Sequence, residues 1–194
     1  MRKMKVEESK IPIIKNEILK QFINGNTRFT HLYVPISSEQ IHLVPRAGHC
    51  FSELEFLYCD VGGFNGNIVL EGLSRISKSV KTLEFFVMIY EFSRIIEFIE
   101  AQNNLECVKC HNTPSTMKLK AFEESLIKHA DTIQYLQISW KPITKFLSNL
   151  VNLISLDIDL NYLRSLPDRS FGREYLNFLE KENVTPDSRA KVDN

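Results

Sequence analysis

Apolar residues recur along this chain at a regular spacing. From Leu153 to Asn161 the sequence reads Leu-Ile-Ser-Leu-Asp-Ile-Asp-Leu-Asn, with apolar residues at the first, fourth and sixth places and Asn at the ninth. The same three places are apolar in Phe29/Leu32/Val34, Phe51/Leu54/Phe56, Val80/Leu83/Phe85, Leu105/Val108/Cys110 and Ile133/Leu136/Ile138. Self-similarity at a period of roughly 20 to 30 residues indicates a repeated supersecondary unit.

Apolar residues at helical spacing lie between these strand-like sets. Leu70, Leu73 and Ile76 follow the second set and face one side of a helix. Later segments carry Phe92/Ile95/Ile96/Ile99, Phe122/Leu126/Ile127/Ala130 and Ile143/Phe146/Leu147/Leu150. The pattern predicts an α/β fold, a short leucine-rich-repeat solenoid of the ribonuclease-inhibitor-like type. It has about six strand-turn-helix repeats with parallel strands.

Domain boundaries follow from where this pattern begins and fades. We expect residues 1–11 to be a disordered N-terminus and residues 12–166 to form the repeat domain. A capping helix opens it at Pro12 and ends at Asn24-Gly25-Asn26. Residues 167–194 are expected to form a C-terminal helix and a disordered tail.

A doubly wound α/β domain is the alternative fold, because it also alternates strands and helices. Its crossovers are usually longer than the spacings found here, and no strand is followed by a Gly-rich phosphate-binding turn. Gly62-Gly63-Phe64-Asn65-Gly66 lacks the Lys-Ser/Thr of a P-loop, so we interpret it as a turn. The spacing favours the solenoid.

Two spans resemble a known family. The sequence resembles the cysteine-containing leucine-rich repeats of F-box proteins from Phe51 to Val80 and from Leu126 to Trp140. Within that family it is most similar to the large expanded sets found in fungi. The resemblance implies substrate recognition by the repeats and docking onto a cullin-RING ubiquitin ligase through an F-box. We expect that F-box to be missing here. The predicted function is a non-enzymatic protein-recognition module of this kind; the alternative is a stand-alone repeat scaffold or inhibitor unrelated to ubiquitin.

Charge and composition exclude some classes of partner. Lys+Arg and Asp+Glu both number 24, so no net charge draws the chain to nucleic acid or to an anionic membrane. The charged N-terminus lacks the apolar core of a secretory signal. We therefore expect an intracellular protein, cytoplasmic or nuclear, with its four cysteines reduced.

Cys107-Val-Lys-Cys110-His111 is the string closest to a cofactor motif, because it matches haem attachment and half of a zinc site. Side chains alternate along a strand, so Cys107 and Cys110 are predicted on opposite faces, where they cannot share one ion. Asp157 and Asp159 share a face but lack a partner acid. A metal- or haem-dependent enzyme is thus the third hypothesis, and we expect no catalytic residue, metal or cofactor.

The concave face of the predicted sheet is the candidate binding surface. The residues assigned to it are Tyr33, Glu55, Leu57, Glu84, Phe86, Lys109, Gln137 and Asp157. Leu57 and Phe86 would form an apolar spot bordered by Glu55 and Glu84. This combination predicts a protein partner with basic residues.

Overall fold

The computed structural model of the chain describes residues 21–35, 40–61, 64–86, 93–112, 116–140, 142–158, 163–164 and 167–181. The strands are β1 (His31–Val34), β2 (Phe56–Asp60), β3 (Thr82–Phe86), β4 (Cys107–Cys110), β5 (Tyr135–Ile138) and β6 (Ser155–Ile158). The α-helices are α1 (Ala47–Cys50), α2 (Phe64–Ile76), α3 (Ser93–Ala101), α4 (Thr116–Ile127) and α5 (Phe171–Lys181). Two 3-10 turns span Ile41–Leu43 and Phe146–Asn149.

All six described strands form one parallel sheet in chain order, β1-β2-β3-β4-β5-β6. Each strand pairs with the next one along the chain. The predicted α/β class with parallel strands is therefore confirmed. Doubly wound sheets reverse their strand order at a switch point, and the order from β1 to β6 does not reverse.

One backbone hydrogen-bond arrangement recurs just before five of the strands. The Thr30 carbonyl accepts from the amides of Glu55 and Phe56 at 2.8 and 2.9 Å. The carbonyls of Glu55, Lys81, Glu106 and Gln134 each accept two consecutive amides of the next strand segment in the same way. Each strand is thus placed on its neighbour by the same local contact.

The core lies between the sheet and the helices α2 to α4. Alternate strand residues such as Leu83 and Phe85 are buried, and so are Ile95, Phe98 and Ile99 on α3. Removal of these apolar side chains from water supplies most of the favourable free energy of folding. None of the described helices is long and apolar enough to cross a membrane.

The second strand has a different register from the predicted one. We expected Phe51, Leu54 and Phe56 to face the core. Phe51 and Leu54 are buried as predicted, but Phe56 is half-buried on the opposite face, and β2 buries Leu57 and Cys59 instead. The register was ambiguous because large side chains occupy both faces of β2, with Phe56 and Tyr58 on one face and Leu57 on the other. If the second apolar set begins at Leu54, it lies almost midway between the sets that begin at Phe29 and Val80. The lengths of the repeated units are then more even.

The predicted helix over Ile143, Phe146, Leu147 and Leu150 is also wrong. This segment contains only the 3-10 turn Phe146–Asn149. The sets that begin at Ile133 and Leu153 are closer together than any other neighbouring pair. Such a short connection leaves too few residues for a full α-helix after the loop that joins it to the strand.

Several predictions fall partly or wholly outside the described residues. They are the disordered residues 1–11, most of the capping helix, the turn at Gly62-Gly63, Asp159 and the tail beyond residue 181. The C-terminal helix is present as α5. Ser170 precedes its first residue, and the Ser170 hydroxyl accepts from the Arg173 amide at 3.3 Å.

Candidate binding surface

The sheet surface turned away from the core, here called the outer face, carries most of the predicted binding residues. In the strand register, Tyr33, Tyr58, Glu84, Lys109, Gln137 and Asp157 lie side by side in one row. Five of these six were predicted for this surface. Phe86 lies on the same face two residues after Glu84 and is half-buried.

Two predicted binding residues lie elsewhere. Leu57 is fully buried in the core, so its assignment to the binding surface is wrong. Glu55 is exposed but precedes β2, and its carboxylate pairs with the Lys81 ammonium at 3.0 Å. Both errors follow from the register of β2, because moving the pattern by three residues places Phe56 and Tyr58 outward instead.

An aromatic cluster occupies the β1-β2 end of the outer face. The ring centroids of Tyr33 and Phe56 are 5.2 Å apart, and those of Tyr33 and Tyr58 are 6.0 Å apart. The His31 ring stacks on Phe56 at 5.5 Å. Sequence reasoning missed this cluster, although the more even spacing of the shifted register would have revealed it. We call Tyr33, Phe56 and Tyr58 the aromatic cluster.

Tyr58 lies between two acidic residues. Asp60 is two residues further on the same side of β2, and Glu84 is its direct partner on β3. Burial, and after it the negative charges of Asp60 and Glu84, raise the pKa of the Tyr58 phenol above its ordinary value. The Tyr58 phenol therefore ionises less readily than an ordinary tyrosine.

Glu84 links the acidic part of the outer face to its basic part. One carboxylate oxygen lies 2.6 Å from His111 Nε2, and the other lies 3.8 Å from Lys109 Nζ. These three side chains join β3 to β4 and the residue that follows it. Side-chain pairs between neighbouring strands stabilise a sheet modestly.

The Cys-x-x-Cys-His string is divided between the two faces of the sheet. Cys110 is buried, and burial raises the pKa of its thiol to about 12. Its Sγ donates to the Asn112 carbonyl at 3.0 Å. Cys107 is half-buried on the outer face, and burial raises its pKa as well. In the part of the chain that the structure describes, no three His, Cys, Asp or Glu side chains are arranged to hold a metal ion.

A buried carboxylate on α4 organises the segment after β5. Glu123 has no exposed surface. Its Oε1 accepts from the Trp140 indole at 3.1 Å and from the Ile143 amide at 2.9 Å. Its Oε2 accepts from the amide and hydroxyl of Thr144 at 2.7 and 2.5 Å. Four donors fully occupy this carboxylate, so it works as a structural anchor.

His129 is likewise used within the fold. The residue is almost completely buried, and its Nε2 lies 2.8 Å from the Ile99 carbonyl on α3. Since a carbonyl oxygen only accepts, Nε2 is the donor of this bond. The bond ties the end of α4 to α3.

Comparison with known families decides what kind of protein carries this surface. A family model described as "Coenzyme Q (ubiquinone) biosynthesis protein Coq4" matches residues 87–194, which is more than half of the 194-residue chain. The chain belongs to the Coq4 family. Within the described residues, the match includes β4 to β6 and helices α3 to α5, whereas β1 to β3 precede it.

Curated relatives of the Coq4 family match over short segments. The chain is 50% identical over 40 residues to the mitochondrial ubiquinone biosynthesis protein COQ4 of Candida tropicalis, covering 21% of this chain and 12% of the relative. It is 37% identical over 60 residues to the same-named protein of Lodderomyces elongisporus, covering 31% and 16%. It is 57% identical over 35 residues to the COQ4 homolog of Danio rerio, covering 18% and 13%. The matches thus span about a sixth or less of these relatives' length. No solved structure matches the chain.

These matches correct the functional predictions from sequence. The resemblance to fungal F-box proteins is wrong, and so are the predicted ubiquitin-ligase link and the protein substrate, because the family match is to Coq4 proteins. The alternative of a stand-alone scaffold or inhibitor is wrong for the same reason. The predicted cytoplasmic or nuclear location is contradicted by relatives that are named mitochondrial. The spacing of apolar residues indicates which side chains are buried, but it does not identify the molecule that the protein binds.

Proposed function

We propose that this chain serves ubiquinone biosynthesis in mitochondria, the process and the compartment that appear in the names of its relatives. The observation that carries the proposal is the Coq4 family match over residues 87–194. The chain aligns with about a sixth or less of its curated relatives, so its contribution is a part of what those proteins do.

We propose further that this contribution is non-catalytic. The buried side chains that could take part in catalysis have hydrogen-bond partners inside the fold. Glu123 accepts from four donors, His129 bonds to the Ile99 carbonyl on α3, and Cys110 donates to a backbone carbonyl. A general base must reach a substrate proton, and a buried, fully bonded carboxylate does not. Binding is therefore assigned to the outer face, with Lys109, Gln137 and Asp157 inside the family match.

The fold that we propose for this role is a short solenoid of repeated strand-helix units. Two features support it. The parallel strands follow one another in chain order, and before five of them one carbonyl, from Thr30 to Gln134, accepts two consecutive amides of the next strand segment. In a solenoid each unit contacts chiefly its neighbours, so the sheet presents one extended surface for binding.

Removal of the gene from its host tests the proposed function. Deletion should lower the ubiquinone content of mitochondrial lipid extracts, measured by liquid chromatography and mass spectrometry. Re-expression of the full chain should restore it. Unchanged ubiquinone after deletion would contradict a role in its biosynthesis.

The same host separates binding from catalysis. Cys107→Ser and His111→Gln remove the two half-exposed groups of the cofactor-like string while keeping their size. Both variants should restore ubiquinone as fully as the natural chain, with matched protein levels checked by immunoblot. Lys109→Gln, in the binding row of the same face, is the comparison. Loss of restoration by Cys107→Ser or His111→Gln at equal protein level, while Lys109→Gln still restores ubiquinone fully, would contradict the non-catalytic assignment.

A further inference from the structure

We propose that two copies of this chain associate through strand β6, which pairs with β6 of the second copy in antiparallel register around a two-fold axis at Leu156. The contact joins the parallel sheets of the two copies edge to edge. The inference goes beyond the proposed function and does not depend on it.

The core-side position of β6 is open to solvent. Leu156 is 39% exposed, whereas its register partner Leu136 on β5 is 2% exposed. The same position is buried on the three preceding strands, in Leu57, Leu83 and Val108. The apolar core therefore loses its cover at the last described strand.

Ile154 interrupts a series of polar residues. The carbonyls that accept two consecutive amides of the next strand segment belong to polar residues, namely Thr30, Glu55, Lys81, Glu106 and Gln134. Gln134 accepts from the amides of Ile154 and Ser155, so Ile154 holds the equivalent position in the last unit. It is apolar and 69% exposed, and no described strand follows β6 to supply the two amides. An apolar residue at this position indicates a surface that is covered by a partner.

The backbone of β6 presents an edge that can pair with another strand. The Ser155 amide donates to the Gln134 carbonyl on the β5 side at 3.0 Å. Backbone groups of successive strand residues point to opposite edges, so the amide and carbonyl of Leu156 and the amide of Ile158 point away from β5. β6 reads Ser-Leu-Asp-Ile and contains neither Pro nor Lys, which often prevent pairing at the edge of a sheet.

The sequence of β6 is complementary to itself in one antiparallel register. With Leu156 opposite Leu156 of the second copy, Ser155 lies opposite Asp157 and Ile154 lies opposite Ile158. The two Leu156 residues exchange a pair of backbone hydrogen bonds, and each Ile158 amide donates to the Ile154 carbonyl of the other copy.

A shift of the axis to Asp157 is unfavourable, because it places two carboxylates directly opposite each other. The axis at Leu156 instead pairs apolar residues with apolar residues and a hydroxyl donor with a carboxylate. A two-fold contact of this kind closes after two copies, so the occupant of the β6 edge is one second copy of this chain.

Sedimentation velocity of the full chain tests the contact. The chain should sediment as a dimer at about 100 μM and dissociate on dilution. Hydrogen exchange of the Leu156 and Ile158 amides should slow as the protein concentration rises, whereas exchange in β1 should not change. A monomer at about 100 μM, or larger assemblies in which the β1 amides become protected, would overturn the proposal.

Substitutions of Ser155 test the register. Ser155→Asp places like charges opposite each other at two positions of the dimer, so the dimer Kd should rise about fivefold or more at low ionic strength. Ser155→Lys places opposite charges there and should lower the Kd about threefold or more. Ser155→Asn has nearly the size of the Asp variant without its charge, and as the matched control it should stay within about twofold of the natural chain. Salt should diminish both charge effects.

Circular dichroism identifies variants that fail to fold. If Ser155→Asp is unfolded, the contrast between Ser155→Lys and Ser155→Asn still decides the outcome. A folded Ser155→Lys chain that dimerises no more tightly than Ser155→Asn at low salt would overturn the proposed register.

Discussion

At the scale of single residues, chemically reactive side chains mostly stabilise this fold. Glu123 has the side chain that a reader of the sequence would associate with acid-base chemistry. Its four donors instead come from Trp140, Ile143 and Thr144. Hydrogen bonds to a charged group are among the stronger ones in proteins, and they are costly to lose when buried.

Replacement of Glu123 tests this anchor. In Glu123→Gln an NH2 group replaces one carboxylate oxygen, and it must face two hydrogen-bond donors from which it cannot accept. We therefore expect the free energy of unfolding to fall by about 1–3 kcal/mol. Glu124→Gln is the control, because Glu124 is exposed and makes a 3.6 Å surface pair with Lys120. Urea unfolding monitored by tryptophan fluorescence measures both. Equal stability of the two variants would contradict the anchoring role.

Gly66 shows a second residue-scale constraint, which is steric. A Cβ at this position would collide with the Asp60 carbonyl oxygen and lie 3.2 Å from Val61 Cα. Both atoms belong to the backbone, which cannot move aside as a flexible side chain would. The first turn of α2 therefore packs directly against the end of β2.

Gly66→Ala should destabilise the chain for that reason. Alanine normally favours a helix over glycine by about 1 kcal/mol, but here overpacking should produce a net loss of about 1–3 kcal/mol. Gly48→Ala in α1 is the matched control, since a Cβ there meets no atom within 4 Å. Thermal unfolding by circular dichroism should give a lower Tm for Gly66→Ala alone. A Tm at or above that of the natural chain would contradict the steric argument.

At the scale of elements, a buried polar side chain joins the end of α3 to the segment between α2 and β3. Gln102 follows α3 and is almost fully buried. Its amide nitrogen donates to the carbonyls of Ser77 and Phe98 at 3.2 and 3.0 Å. Its carbonyl oxygen accepts from the Val80 amide at 3.2 Å. One side chain thus satisfies three backbone groups, which otherwise would be buried without partners.

Gln102→Ala tests how much these three hydrogen bonds stabilise the fold. Three backbone groups lose their partner, so the free energy of unfolding should fall by about 2–4 kcal/mol. Asn103→Ala next to it is the control, because Asn103 is exposed and its backbone amide keeps its bond to the Lys78 carbonyl. Chemical denaturation of the two variants under identical conditions measures the difference. A Gln102→Ala chain as stable as Asn103→Ala would show that water replaces the lost bonds.

At the scale of the whole molecule, the six described strands are added one after another in chain order. In the solenoid that we propose, stabilising contacts are mainly between neighbouring units, so stability should be approximately a sum over units and their interfaces. A doubly wound sheet behaves differently, because a central strand there connects distant parts of the chain. The two architectures respond differently to the loss of one unit.

Deletion of one complete unit distinguishes them. Removal of residues 80–104 joins Ser79 to Leu105, which takes the place of Val80 at the start of a strand set. We expect a folded chain with cooperative unfolding and a Tm lowered by roughly 5–15 °C. Removal of residues 80–91 is the control, since it destroys the register and should abolish folding. If the complete-unit deletion also unfolds the chain, the solenoid proposal is wrong.

The sequence by itself determined the class of fold and most of one surface. Apolar sets that recur from Phe29 to Leu153, with helical spacing between them, required alternating strands and helices, and parallel strands followed from that alternation. Five of the predicted binding residues lie together in the outer-face row because side chains alternate strictly along a strand. The partner could not be read in the same way, because burial patterns recur in families with unrelated functions.

Only the tertiary structure decided the register of β2 and the shape of the last connection. In Phe-Leu-Tyr-Cys-Asp both faces carry large side chains, so local spacing does not say which of them is buried. Pairing with β1 and β3 resolves this by placing Leu57 between Leu32 and Leu83. The role of Glu123 was equally hidden, because its donors lie far away in the chain, on Trp140, Ile143 and Thr144. Local sequence specifies periodicity, whereas contacts between distant residues select among the registers that the periodicity permits.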